Sequence, residues 1–420
     1  MIKNFLKPGA YLIAVLLFTS CSNKEITCVI KGKTIRRNSD TLILQKATED
    51  VRFAQIKIPI KDSTFEYRFV IPATEAYELV FADELKKGSW RPITVFPENG
   101  VVNCVLYPEN EFDKNQTNGG ELNAQYSIFQ KTLLETYMPM FQPLNDSTMA
   151  LMNRNEYYSP AMDSIQMELP KAKDNETRMR LRKKIQEMQV SGADLSQNGR
   201  ALKGEEDTLK LKIDHWRYNY IEENSTLVSY FLLLQDLQSI QYTKLDLDRI
   251  KLNVAILSKK FPDHPYGKIT KYLIDSQDKI KIGGRFIDFS LPDIDGKMFT
   301  LSELIKGKIA LIDLWASWCG SCIMTSRSII PVYEEFKDKG FTVCGVAAEI
   351  KNTDQMKNRL EKEKFPWINL VDLDHRNLIW YKYGIPNAGG GTFIVDNEGK
   401  LLAISPTAEE VRNILIAKLK

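Results

Sequence analysis

Two cysteines separated by two residues, Cys319 and Cys322, stand where an apolar run gives way to a helical pattern. Few architectures provide that junction. Ile309 to Leu314 is short and uninterrupted, and reads as a buried strand. Ser321 to Asp338 keeps helical spacing. The first N–H groups of such a helix lack partners, and its dipole places partial positive charge beside Cys319. That field favours thiolate over thiol, and the thiolate is the nucleophile of disulfide exchange. Cys322, one turn on, is close enough to resolve a mixed disulfide on Cys319. The competing reading, half of a zinc site, lacks a second cysteine pair, and His215, His264 and His375 are scattered. No metal site is expected, and no cofactor.

The rest of the chain is long enough for two or three domains. Net charge is only +3, and no basic stripe is interleaved with aromatics, so nucleic acid is a poor partner. Residues 26 to about 110 carry short apolar or alternating runs: 26–30, 41–44, 55–60, 64–71, 76–81, 93–96 and 101–107. Turn signals such as Pro97-Glu-Asn-Gly100 separate them. That spacing predicts a small all-β sandwich or barrel. From Glu121 to Lys281 the pattern is helical, with stripes Leu209-Ile213-Trp216-Tyr220 and Leu227-Tyr230-Phe231-Leu234 expected in a core. A break between helices is expected over 191–204. The charged segment 163–189, with Arg178, Arg180, Arg182, Lys183 and Lys184, is a solvated helix face rather than a docking site. Beyond it, hairpin, strand, helix and strand alternate. A helix is expected over 374–383, and a capping box, Thr407 to Glu410, opens the last one. That order predicts a mixed sheet with helices on both faces.

The segment Ala310-Leu-Ile-Asp-Leu-Trp-Ala-Ser-Trp-Cys-Gly-Ser-Cys322 resembles the active-site strand and helix start of thioredoxin. The longer frame from Gly283 is similar to the TlpA/ResA-type membrane-tethered thioredoxins. It includes Asp288-Phe289, Leu291-Pro-Asp-Ile-Asp-Gly-Lys297, Val343-Cys344-Gly345-Val346 and Phe393-Ile-Val-Asp-Asn-Glu-Gly-Lys400. The resemblance implies a C-terminal α/β thioredoxin fold over 283–420. Cys319 is then the attacking cysteine and Cys322 the resolving one. Asp313 is a buried acid that helps move the Cys322 proton, an apolar setting raising its pKa toward a useful range. Partner-chain contacts fall to Trp318, Gly390, Gly391 and Thr392. Two departures from the family stand out. Its proline facing the cysteines is replaced: the region reads Pro386-Asn-Ala-Gly-Gly-Gly-Thr392, and register places Gly390 or Gly391 there. The Glu and Pro often found three and five residues past the second cysteine are Thr325 and Arg327. Arg327 would favour the thiolate only if it faced the site. Gly32, Ser63-Thr-Phe65, Ala76-Tyr77 and Phe96-Pro-Glu-Asn-Gly100 resemble an N-terminal β domain of unassigned function often fused ahead of such thioredoxins.

Met1 to Ser20 reads as a secretory signal: Lys3 and Lys7, then the apolar run Tyr11 to Phe18. Phe18-Thr-Ser-Cys21 resembles a lipobox, which implies lipidation at Cys21. The expected plan is a signal over 1–20, a β domain over 21–112, a helical region over 120–281 and the thioredoxin-like domain. Its implied setting is the cell envelope, as a membrane-anchored lipoprotein facing the periplasm. Partners are protein thiols and disulfides, with a membrane electron donor possible. Cys28 and Cys104 could pair if their strands are neighbours, or stay as buried thiols; Cys344 reads as a small core residue. Two other functions compete. One is a non-catalytic envelope binding lipoprotein with a relic thioredoxin domain. The other is a thiol peroxidase, disfavoured because Ile312 and Ala316 stand where its Pro-x-x-x-Thr-x-x-Cys frame needs Pro and Thr.

Overall fold

The computed structural model describes residues 25–419 apart from 55, 241, 242, 244, 387 and 388. The signal segment and Cys21 lie outside the described residues. The N-terminal runs become β1 (Ile26–Thr34), β2 (Thr41–Lys46), β3 (Ile56–Pro59), β4 (Thr64–Ile71), β5 (Tyr77–Phe81), β6 (Ile93–Val95) and β7 (Gly100–Leu106). An eighth strand, β8 (Gln116–Asn118), is too short and polar to show in the sequence. They form two four-stranded sheets, β4-β1-β7-β8 and β3-β2-β5-β6. Residues of both, including Ile30, Val102, Leu42 and Leu79, share one apolar cluster. Among the described residues neither strand order closes on itself, and no closed barrel forms. β1 and β7 are neighbours, in parallel. Cys28 sits opposite Gly100 and Cys104 opposite Gly32, four places out of register, and both thiols are free and buried.

The middle of the chain is helical. Leu227–Gln238 buries most of its length and is therefore its centre, with Tyr230, Phe231, Leu232, Leu233 and Leu234 enclosed. The Leu209–Tyr220 stripe is only half-buried: Trp216 stacks on Phe129 at 4.7 Å, but much of that 28-residue helix faces outward. The expected break over 191–204 is shorter, because the helix already starts at Gln197 behind a Ser196 cap. Gly199 is there for close packing; a Cβ would lie 2.2 Å from the Tyr157 carbonyl oxygen. In the charged segment, Lys183 pairs with Glu410 of the last helix. The helical region is fastened to the sheets by Tyr266, whose hydroxyl accepts from the Ala76 N–H at 2.7 Å.

In the C-terminal part a hairpin, β9 (Ser290–Pro292) and β10 (Met298–Thr300), precedes five more strands. These are β11 (Ile309–Trp315), β12 (Phe341–Glu349), β13 (Ile368–Leu373), β14 (Gly391–Val395) and β15 (Leu401–Ile404), in sheet order β13-β12-β11-β14-β15. β11 is central, parallel to β12 and antiparallel to β14. Its side chains alternate between two cores. Ile309 and Leu311 pack with Ile329, Val332 and Leu415, and Ala310, Ile312 and Leu314 with Leu291, Ile379 and Trp380. The sheet is thus covered on both faces. One expected element shrinks: of 374–383 only Ile379–Lys382 is helical. Asp374, His375 and Leu378 hold φ of 55°, 51° and 52°, and the Asp372 carboxylate caps the N–H groups of Asn377 and Ile379. Side-chain capping from the end of β13 competes there with helix propagation.

Candidate active site

β11 ends at Trp315, and the chain turns through Ala316, Ser317 and Trp318 into the helix Gly320–Phe336. Cys319 is the N-cap, where a side-chain acceptor satisfies an orphan N–H. Its sulfur takes that role, accepting from the Cys322 N–H at 3.3 Å. The two cysteines are joined as a disulfide with Cα atoms 5.3 Å apart. Both are largely buried, Cys319 at 6% and Cys322 at 8% exposure. The turn is held from below. Glu349, at the end of β12, is buried and accepts from the Ser317 N–H and the Ser317 hydroxyl, each at 2.7 Å. Burial pushes this carboxyl above its usual range, the two Ser317 bonds opposing the shift.

Asp313, between Ile312 and Leu314 on β11, points to the face carrying the active-site helix. It is enclosed, and the Ser326 hydroxyl donates to it at 2.6 Å. Ser326 lies one turn beyond Cys322, and the same hydroxyl is 3.0 Å from the Cys322 carbonyl. Burial raises the Asp313 carboxyl to about 7, with the Ser326 bond offsetting a little. A carboxyl in that range can give and take a proton near neutrality. Cys344 is nearby and buried, its thiol pushed up to about 12 by desolvation and by Asp313.

The glycine loop closes the other side. Gly390, not Gly391, meets the cysteines: its N–H donates to Cys322 Sγ at 3.2 Å. A Cβ there would lie 1.9 Å from the Leu314 carbonyl oxygen and 2.8 Å from Cys322 Sγ. Only glycine allows this approach. Gly391 pairs with Leu314 and Thr392 with Asp313 in the β11–β14 ladder, and Thr392 is buried. Pro386 is buried four residues earlier. Arg327 does not face the sulfurs; it pairs with Glu363 on the helix Asp354–Glu363. Trp318 packs against Trp380, with ring centroids 5.8 Å apart. Its other neighbours come from the N-terminal sheets: the Arg52 guanidinium sits 3.7 Å over its ring, and Phe53 meets it edge-on at 5.9 Å.

The structure places Cys319, Cys322, Asp313, Trp318, Gly390, Gly391 and Thr392 around the end of β11 and the start of the following helix, while Cys21 lies outside the described residues. It adds Ser317, Ser326, Glu349, Arg52 and Phe53. Ser326 was legible as the i+4 neighbour of Cys322. Glu349 carried a faint signal as the acid ending an apolar strand. Arg52 and Phe53 carried none. Among the described residues no group of three or more His, Cys, Asp or Glu gathers as a metal would require.

The likeness to known proteins lies in the C-terminal part of the chain. The AhpC/TSA family model matches residues 282–404. A thiol-disulfide oxidoreductase ResA of Bacillus anthracis is 29% identical over 129 residues, 30% of this chain and 70% of the relative. A thiol:disulfide interchange protein DsbE of Allochromatium vinosum is 31% identical over 115 residues, 27% of this chain and 59% of the relative. Among solved structures, the thioredoxin domain of a Bacteroides vulgatus thiol-disulfide oxidoreductase is 26% identical. It covers 34% of this chain and 100% of that one, at a TM-score of 0.31.

Proposed function

We propose that this chain, a thiol–disulfide oxidoreductase whose residues 282–404 are a thioredoxin-fold domain of the AhpC/TSA family, reduces or isomerises protein disulfides of the cell envelope. The observation that carries the reading is Cys319 Sγ at a helix N-terminus, accepting the Cys322 N–H, with a buried acid behind the second sulfur.

In the dithiol state the helix tip and that N–H favour the Cys319 thiolate. It attacks one sulfur of a substrate disulfide. The Cys319–substrate S–S bond forms as the substrate bond breaks, and the leaving sulfur departs as thiolate and is protonated. Asp313, near its midpoint at neutral pH, takes the Cys322 proton. Cys322 then attacks Cys319 Sγ, closing the enzyme disulfide and releasing the second substrate thiol. Two electrons pass from enzyme to substrate, and a thiol donor at the membrane restores the pair. Gly390 leaves its loop backbone against the sulfurs, where a bound polypeptide can lie alongside.

The envelope address rests on the Met1–Cys21 pattern, with Cys21 as the lipid anchor. Among the described residues no helix is long and apolar enough to cross a membrane. Insulin-disulfide reduction by the purified protein tests the chemistry. Cys319→Ser should abolish it, and Cys322→Ser should accumulate mixed disulfides in cells. A Cys322→Ser protein that traps nothing would remove the exchange role. Labelling with a fatty-acid probe, lost in Cys21→Ser, tests the anchor.

A further inference from the structure

The N-terminal sheets reach the active site through one turn, Val51–Phe53, which follows β2. This turn is held in shape by Asp50, whose carboxylate accepts from the Arg52 backbone N–H at 2.9 Å and from Arg52 Nε at 2.8 Å. Arg52 and Phe53 then close on Trp318, the residue before Cys319. Behind Phe53 lies a cavity of about 310 Å³ where all three parts of the chain meet. Most of its inner surface is apolar, from Phe53 of the N-terminal part, Ile269 of the helical region, and Ile350, Leu378 and Tyr381 of the thioredoxin-like part; Thr48, Glu49, Lys351 and His375 add polar edges. Two of its carboxylates are already engaged, Asp50 by Arg52 and Asp374 by the Lys351 N–H and Arg376. Lining residues Lys351, Asp374, His375 and Leu378 all hold positive φ, with no glycine among them. Left-handed backbone at such residues costs energy and clusters at ligand clamps.

We propose that this cavity is a substrate subsite, taking a bulky apolar or aromatic side chain of the polypeptide disulfide-bonded to Cys319. The inference rests on the exchange reading above. A mixed disulfide on Cys319 fixes the substrate chain beside Trp318, and three extended residues span up to about 10 Å. That reach covers the width of the Trp318–Phe53 ring pair. The occupant is thus set by continuity with the reacting sulfur, and its chemistry by the apolar walls. The N-terminal sheets then contribute specificity to the reaction rather than acting as a spacer.

The test uses the full-length reduced protein and two octapeptides. Each carries one Cys in mixed disulfide with 5-thio-2-nitrobenzoate and either Phe or Asp three residues from it. Each reduced protein supplies one electron pair, so the traces are single turnovers with peptide in excess; the limiting rate of nitrobenzoate thiolate release stands for kcat and its half-saturation concentration for KM. Burying a phenyl ring should favour the Phe peptide about tenfold in kcat/KM, through KM. Phe53→Ala and Leu378→Gly should each cut that ratio to below about threefold, since each removes one wall. Glycine at 378 keeps the left-handed backbone, so the variant is built to fold. Equal kcat/KM for the two peptides, or a ratio unchanged in both variants, would overturn the subsite while leaving the exchange chemistry intact. No turnover of either peptide would overturn both.

Discussion

Replacing Asp313 by Asn separates the cost of the buried acid from its use. The Asp313 carboxyl is raised from an ordinary 3.8 to about 7 by burial. Between those values the folded chain keeps a proton that the unfolded chain has released. Stability must therefore fall as pH rises through that window, and stay low above it. At 1.36 kcal/mol per pH unit, the loss by pH 8 is about 4 kcal/mol. Asparagine has the same shape, its Oδ1 can still accept from the Ser326 hydroxyl, and it does not ionise. Guanidinium unfolding of oxidised wild type and Asp313→Asn, followed from pH 4 to pH 8, reads the difference. The two should converge near pH 4, and the variant should be the more stable by up to about 4 kcal/mol at pH 8. The same variant should resolve mixed disulfides roughly a hundredfold more slowly at pH 7, the usual scale of a lost proton-transfer group. That deficit should shrink in alkali, where Cys322 loses its proton unaided. Parallel stability curves, or a variant less stable at pH 8 than at pH 4 relative to wild type, would refute the reasoning.

Gly390→Ala should destabilise the oxidised protein by roughly 1–3 kcal/mol in thermal unfolding, because its Cβ has no room beside Leu314 and Cys322. Glu349→Gln keeps one acceptor for Ser317 but not two; it should cost about 1–3 kcal/mol and slow alkylation of Cys319 by loosening its turn, as denaturation and reagent kinetics would show. Arg327→Ala removes one of two arginines on Glu363, and Arg359 stays paired with it at 3.2 Å, so insulin reduction should be unchanged and stability should move by less than about 1 kcal/mol.

What the sequence discloses here is what is local. The Cys319–Cys322 spacing, the apolar β11 and the helix behind it lie within thirty residues or so and report one another through periodicity. Asp313 was legible through the thioredoxin resemblance, which matches it to a buried acid six residues before the first cysteine. Register narrowed the loop to Gly390 or Gly391; only the three-dimensional approach to Cys322 Sγ chooses Gly390. The failures share a cause. The 374–383 segment has helical spacing, but Asp372 captures its N–H groups from the strand before it. Cys28 and Cys104 do sit on neighbouring strands, yet a parallel register keeps them apart, and register is invisible without the partner strand. Arg52 and Phe53 reach Trp318 across more than 260 positions of chain. No pattern within either segment announces that meeting.

The central claim is that one sulfur at a helix tip is activated and the other is held in reserve. Its most direct test is the pH dependence of iodoacetamide modification of the reduced protein, with the modified cysteine identified by mass spectrometry. The account predicts that Cys319 reacts first, with a midpoint clearly below the ~8.5 of a free thiol, and that Cys322 stays protected. Equal modification of the two at the pace of a free thiol, or modification of Cys322 first, would contradict it.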